Sequence, residues 1–149
     1  MSLIDKISES IKTSMKEKDS VSLESLRAVK SALLLAQTQK GNSLGVSAEE
    51  EIKILQKLVK QRKESADIYI SQNRSDLAEV EINQYKIIGR FLPKQMSEDE
   101  IEKIILELIN KTGASGMKDM GKIMGMASKQ LSGMADGKTI SNIVRTKLS

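Results

Sequence analysis

The residues best suited to chemistry in this chain are lysines spaced for one face of a helix. Lys118, Lys122, Gly125 and Lys129 follow one another at intervals of four, three and four. At 3.6 residues per turn such intervals fall in a single row. Ammonium groups in a row neutralise phosphates, and a glycine among them leaves room for a polyanion backbone to come close. Lys138 and Arg145 extend the positive set, with Lys147 beyond them. From Lys111 to Ser149 there are seven Lys or Arg against two acids, Asp119 and Asp136. The chemistry on offer is binding rather than bond-making, through phosphate contacts that carry no base preference. The plain alternative is a solvated helix face.

Bond-making is hard to assemble from these residues. The chain has no Cys and no His, which removes thiol nucleophiles, imidazole bases, disulfides and most zinc or iron sites. No metal and no cofactor is expected, and no catalytic residue is assigned. Glu49-Glu50-Glu51 and Glu98-Asp99-Glu100 stand where helices are expected to begin, and the helix dipole accounts for acids there. Gly133 to Thr139 brings Gly137, Lys138 and Thr139 together. It follows no strand, however, and Ser132 occupies the place of the first glycine of a phosphate loop, so nucleotide binding fails on spacing and context.

Two further sets of residues leave alternatives open. Gly121 and Gly125 lie four apart inside an expected helix, where each costs about 1 kcal/mol relative to alanine. Either another helix packs closely there or a phosphate–sugar backbone approaches. Five of the eight methionines fall between Met117 and Met134. Met117, Met120 and Met124 share a face apart from the lysines and suit core filling, while Met126 and Met134 fit that pattern less well and are left as candidates for the surface.

The elements that must position these residues are helical throughout. Of 149 residues 39% are hydrophobic and 30% charged, with aromatics limited to Tyr69, Tyr85 and Phe91. Such a core is built from aliphatic side chains, and base-stacking platforms for single strands are missing. Ile4, Ile7, Ile11 and Met15 form one stripe, and Leu26, Val29, Leu33 and Ala36 a second after a cap at Asp19 or Ser20. Gly41 to Val46 reads as a loop. Ser47 with Glu50 is a capping box that opens a third helix with Ile52, Leu55, Val59, Ala66 and Tyr69. Arg62 interrupts that stripe and is expected either to snorkel or to pair with a carboxylate of a neighbouring helix, flanked by an outer face of Lys57, Lys60 and Lys63. A fourth helix carries Leu77, Val80, Tyr85 and Ile88 after punctuation at Asn73 and Ser75.

Pro93, the only proline, cannot continue that helix. Beyond it, Ser97 and Glu100 form another capping box before Ile101, Ile104, Ile105 and Leu108. Gly113 suits a helix end. Ser115 can cap the next helix, and Asp136 or Thr139 can start a last one with Ile140, Ile143, Val144 and Leu148. The reading is all-α: an amino-terminal four-helix unit over residues 1–92 and a small carboxy-terminal three-helix domain over 93–149. No stretch approaches the ~20 apolar residues of a membrane span. Asp5, Lys6 and Glu9 deny the amino terminus a signal-peptide core, so a cytoplasmic protein is expected.

Phe91-Leu92-Pro93-Lys94-Gln95, Thr112-Gly113-Ala114, Met117 to Lys122 and Ala135-Asp136-Gly137-Lys138 resemble the GatB/YqeY family, as does Lys60 to Ser65. The resemblance covers nearly the whole chain. It implies an all-helical amino-terminal domain plus a small carboxy-terminal one, similar to the tail of the B subunit of the glutamine-dependent tRNA amidotransferase. It also implies contact between the carboxy-terminal domain and tRNA. The amidotransferase's kinase core and amidase subunit have no counterpart here, so no catalytic residue carries over. Three functions are therefore in play. The first is a tRNA- or structured-RNA-binding accessory protein using Lys118, Lys122, Gly125, Lys129, Lys138 and Arg145. The second is a component or relative of a carbon–nitrogen ligase system that takes its nitrogen from glutamine. The third is a protein-interaction module docking through its methionines.

Overall fold

A computed structural model describes residues 2–39 and 45–149. The chain divides into two compact units, Met1–Leu92 and Pro93–Ser149, and among the described residues every regular element is helical. The loop expected over 41–46 lies partly outside the described residues. Gly45 and Val46 are irregular, and Gly45 takes the left-handed φ of 62° that favours glycine.

The first unit contains α1 (Leu3–Lys16), α2 (Ser20–Gln39), α3 (Ala48–Ser71) and α4 (Ser75–Gly89). Local chemistry starts most of them. Ser2 and Asp5 form a capping box on α1, and Ser47 and Glu50 form one on α3. The Asp19 carboxylate accepts the Ser22 N–H at 3.1 Å and the Ser22 hydroxyl at 2.6 Å. These two bonds hold the Asp19 carboxyl below its usual range. The turn between α3 and α4 passes through Asn73 at φ 58°, a left-handed position that Asn tolerates better than most residues.

Ile7, Leu26, Val29, Leu33, Leu55 and Ile88 form the core of this unit. Two members expected in it are exposed instead. Met15 is 55% exposed, and Ser14 is buried instead. Ser14 lies seven residues after Ile7 and so returns almost to the same helical angle, whereas Met15 is rotated roughly 80° away. Val80 is likewise 44% exposed, while Ala78 and Gln84 of α4 are buried.

Arg62 does point towards a neighbouring helix, but its partner there is an amide rather than a carboxylate. Its Nε donates to Gln84 Oε1 at 3.0 Å, and its Nη1 donates to the Leu58 carbonyl at 3.2 Å. A neutral acceptor suffices because the half-buried guanidinium still reaches water.

The second unit holds α5 (Glu98–Thr112), a single 3-10 turn (Met117–Asp119), α6 (Met120–Gln130) and α7 (Gly137–Leu148). Ile101, Ile105 and Leu108 of α5 meet Ile123 and Ala127 of α6, Leu131 just beyond it, and Ile140, Val144 and Leu148 of α7. Each helix supplies residues at intervals of three and four, which keeps one face inward. Met96 N–H donates to the Met134 carbonyl at 2.8 Å, and Gln95 Nε2 donates to the Gly133 carbonyl at 2.7 Å. The segment after Pro93 is thereby tied to the turn before α7.

Two capping details differ from expectation, while the last helix starts at Asp136, one of the two positions expected. Ser97 accepts the Glu100 N–H, but the Glu100 carboxylate takes the Ser97 hydroxyl rather than its backbone N–H, so the box is half formed. Ser115 caps nothing; its own N–H donates to Asp119 Oδ2 at 2.9 Å, which closes the loop ahead of the 3-10 turn. Asp136 stands at the start of α7 without a side-chain cap bond. Gly113 does end α5, at φ 70°.

Candidate nucleic-acid interface

α6 carries the centre of the lysine set. Its inward side is occupied by Ile123 and Ala127, both fully buried. That phase turns Gly121, Lys122, Gly125, Ser128 and Lys129 outward, and all five are exposed. On the helical projection Gly121, Gly125 and Ser128 form one strip, and Lys122 and Lys129 border it along one edge. The result is a shallow track of bare backbone beside two ammonium groups.

Lys118 is exposed but sits in the 3-10 turn before α6. The four-membered row expected on one helix is therefore three members on α6 and one on the turn that precedes it. Asp119 breaks the helix at that point by closing the loop on Ser115, as described above.

The glycines now have an answer. A Cβ built on Gly121 or on Gly125 meets nothing within 4 Å. Close helix packing does not account for either residue. Both open outward, where the helix surface is most approachable.

The methionines divide differently from expectation. Met120 and Met124 pack against the core of the second unit, but so does Met126, and Met134 is half-buried. Met117 is the exposed one, at 48%. Its place in the 3-10 turn removes it from the helical phase on which the core assignment rested.

Lys138 and Arg145 are exposed at the first and last turns of α7. Asn142 lies between them at intervals of four and three and is also exposed. This makes a second polar row, Lys138–Asn142–Arg145, parallel in kind to that on α6. The sequence reading missed it because Asn142 carries no charge, although the interval was there to be found. Lys147 belongs to neither row, since its ammonium pairs with Glu102 of α5.

Among the described residues no group of three or more acids could hold a metal ion. No helix of the described residues is long and apolar enough to cross a membrane.

Two small helical units, the second bearing an outward glycine–lysine strip, define a class of compact helical modules. Comparison with known proteins makes this specific. The family described as Yqey-like protein matches residues 4–148, and the chain belongs to that family. It is 31% identical over 135 residues to altered inheritance of mitochondria protein 41, mitochondrial, of Meyerozyma guilliermondii, covering 85% of this chain and 67% of that protein. The counterpart from Clavispora lusitaniae is 28% identical over 134 residues, with 87% and 74% covered. A shorter and stronger likeness, 46% over 57 residues, is to the E subunit of the glutamyl-tRNA(Gln) amidotransferase of Thermococcus gammatolerans. It covers 36% of this chain and 9% of that larger protein, so the chain spans under a tenth of the amidotransferase subunits it matches.

Proposed function

We propose that the protein is a tRNA- or structured-RNA-binding accessory module, and that the second unit carries the contact surface. The observation that carries this reading is the strip on α6. Lys122 and Lys129 are exposed beside glycines with open space above them. A phosphate backbone can approach such a strip closely and be neutralised along its edge. Lys118, Lys138 and Arg145 add charge at the neighbouring turn and on α7. The likeness to the amidotransferase subunits supports the reading, because it extends over 57 residues, close to the size of the Pro93–Ser149 unit. In this reading that unit, residues 93–149, is a carboxy-terminal GatB/YqeY-like domain that follows an amino-terminal helical domain over 1–92. Those subunits act on a tRNA by name, and a shared module that touches tRNA explains why the likeness is confined to a short stretch.

The protein works in the cytoplasm without catalytic activity of its own. A second reading, association with an amidotransferase complex through the same unit, draws on the same likeness. In both, amidation chemistry stays with the partner.

The test is tRNA binding by the full-length protein at several salt concentrations. Replacing Lys118, Lys122 and Lys129 together by Gln weakens binding and flattens the logarithmic salt dependence by roughly two to three units of slope. Stability stays within about ±0.5 kcal/mol for each exposed substitution. Unchanged affinity and slope in the triple variant would remove the RNA reading and leave protein association. Glutamine-dependent amidation by the purified chain alone would overturn the non-catalytic assignment.

A further inference from the structure

The first unit holds a cleft of about 510 Å³, within the size range of small-molecule sites, that the proposed RNA surface does not use. One face of α1 forms its long wall, with Lys6, Glu9, Ser10, Ser14 and Glu17 at helical intervals. Asp19, Ser22 and Leu26 from the start of α2 form the floor, and Ile87, Arg90 and Phe91 from the end of α4 close the far side. Two cations and three carboxylates thus stand around an apolar base. Such a mixture disfavours each simple ligand class in turn. Phosphates and dicarboxylates meet three like charges, polyamines meet Lys6 and Arg90, and an aliphatic chain meets a charged rim.

Ser14 adds a second, independent observation. It is 6% exposed, it lines the cleft, and its hydroxyl makes no hydrogen bond to the described protein. The contrast is with Ser25, also buried, whose hydroxyl donates to the Val21 carbonyl at 2.8 Å. The hydroxyl oxygen is not itself sealed from solvent, so it opens onto the cleft and is free to bond a ligand there. Of the three carboxylates, Asp19 is held by Ser22, whose hydrogen bonds keep it below the usual carboxylate range.

The geometry points to a binding site for a small zwitterion of amino-acid type, a free amino acid or dipeptide, in the α1–α2–α4 cleft. Its carboxylate meets the Arg90 guanidinium, whose fork matches two oxygens. Its ammonium group meets a carboxylate of the α1 wall, where Glu9 and Glu17 stand. Its apolar body lies over Leu26, Ile87 and Phe91, and its amide or carboxylate bonds the Ser14 hydroxyl.

The experiment is a titration of the full-length protein with glycyl-leucine, followed by amide chemical shifts in two-dimensional NMR. N-acetyl-glycyl-leucine, which keeps only the negative end, and glycyl-leucinamide, which keeps only the positive end, serve as controls. Expected are saturable shifts centred on Ser14, Ser22 and Arg90 with an affinity on the order of 1 mM, at least about fivefold weaker for either control. Arg90→Gln weakens binding about tenfold. Ser14→Ala weakens it a few-fold while leaving the melting temperature unchanged or higher, because the hydroxyl serves no protein bond. Absence of saturable shifts for glycyl-leucine, or equal binding of the zwitterion and a single-charge control, overturns the proposal. A drop in melting temperature for Ser14→Ala would show that the hydroxyl serves the fold, and overturns its assignment to the ligand.

Discussion

The two units solve burial in opposite ways. Among the described residues, the first buries Ser14, Ser25 and Gln84 alongside its aliphatic core, whereas every buried side chain of the second is apolar. In the first unit Gln84 joins two helices by receiving Arg62 across α3 and α4, and Ser25 satisfies its hydroxyl on its own helix. The second unit keeps its polar groups outside and its glycines open. A small domain has little surface to bury, so an all-apolar core makes the most of what it has. The larger unit can carry polar groups inside because four helices, one of 24 residues, supply more apolar area around them.

That contrast can be broken most forcefully at the dry core. Ile123 is fully buried among Ile105, Ala127 and Val144. Ile123→Ala is expected to destabilise the second unit by about 2–5 kcal/mol, read from urea unfolding monitored by NMR signals of Pro93–Ser149. If the loss is below about 1 kcal/mol, the core of this unit is looser than its burial indicates.

The polar joint of the first unit is the next largest effect. Gln84→Ala leaves the half-buried Arg62 side chain without its acceptor on α4 and is expected to cost about 1–3 kcal/mol. Arg62→Met in the same background should recover part of that loss, since it removes the orphaned donor. Urea unfolding of the single and double variants measures both. Full additivity of the two changes would show that Arg62 and Gln84 do not act as a pair.

The glycine strip sharpens the comparison from the other side. Gly121→Ala and Gly125→Ala meet no neighbour and remove the helix penalty, so each should stabilise the second unit by about 1 kcal/mol. The same changes should weaken tRNA binding if backbone proximity matters. Stabilisation without any change in tRNA affinity would mean the strip is only a tolerated flaw in the helix.

The smallest effect is acid sensitivity in the first unit. Hydrogen bonds from Ser2 hold the Asp5 carboxyl below its usual range, and those from Ser22 do the same for Asp19. A lowered folded pKa contributes stability that is present above the ordinary aspartate range near pH 3.9. It is lost as pH falls through the lowered folded values. The double variant Asp5→Asn, Asp19→Asn should therefore melt lower than the parent at neutral pH, and the gap should close in acid. A gap that is constant with pH would mean that the caps act through hydrogen bonding alone, without the charge.

Much of this architecture could be read from residue order. Periodic Leu, Ile and Val with few aromatics dictated helices. Asp19, Ser47 with Glu50, Gly113 and Pro93 marked ends correctly because each acts on backbone groups within a few residues of itself. The exposed lysines and glycines of α6 were legible for the same reason, once the phase of Ile123 and Ala127 is set. What the order of residues did not determine was anything settled across the fold. Ser14 replaced Met15 inside, Val80 turned out, Arg62 chose an amide, and Met117 left the core while Met126 joined it. The openness above Gly121 and Gly125 and the unpartnered Ser14 hydroxyl are also tertiary facts. Helical periodicity places a side chain only to within several tens of degrees, and the packing of neighbouring helices decides which of two adjacent residues is buried. A cap needs only its own turn, whereas a cleft needs three helices in place at once.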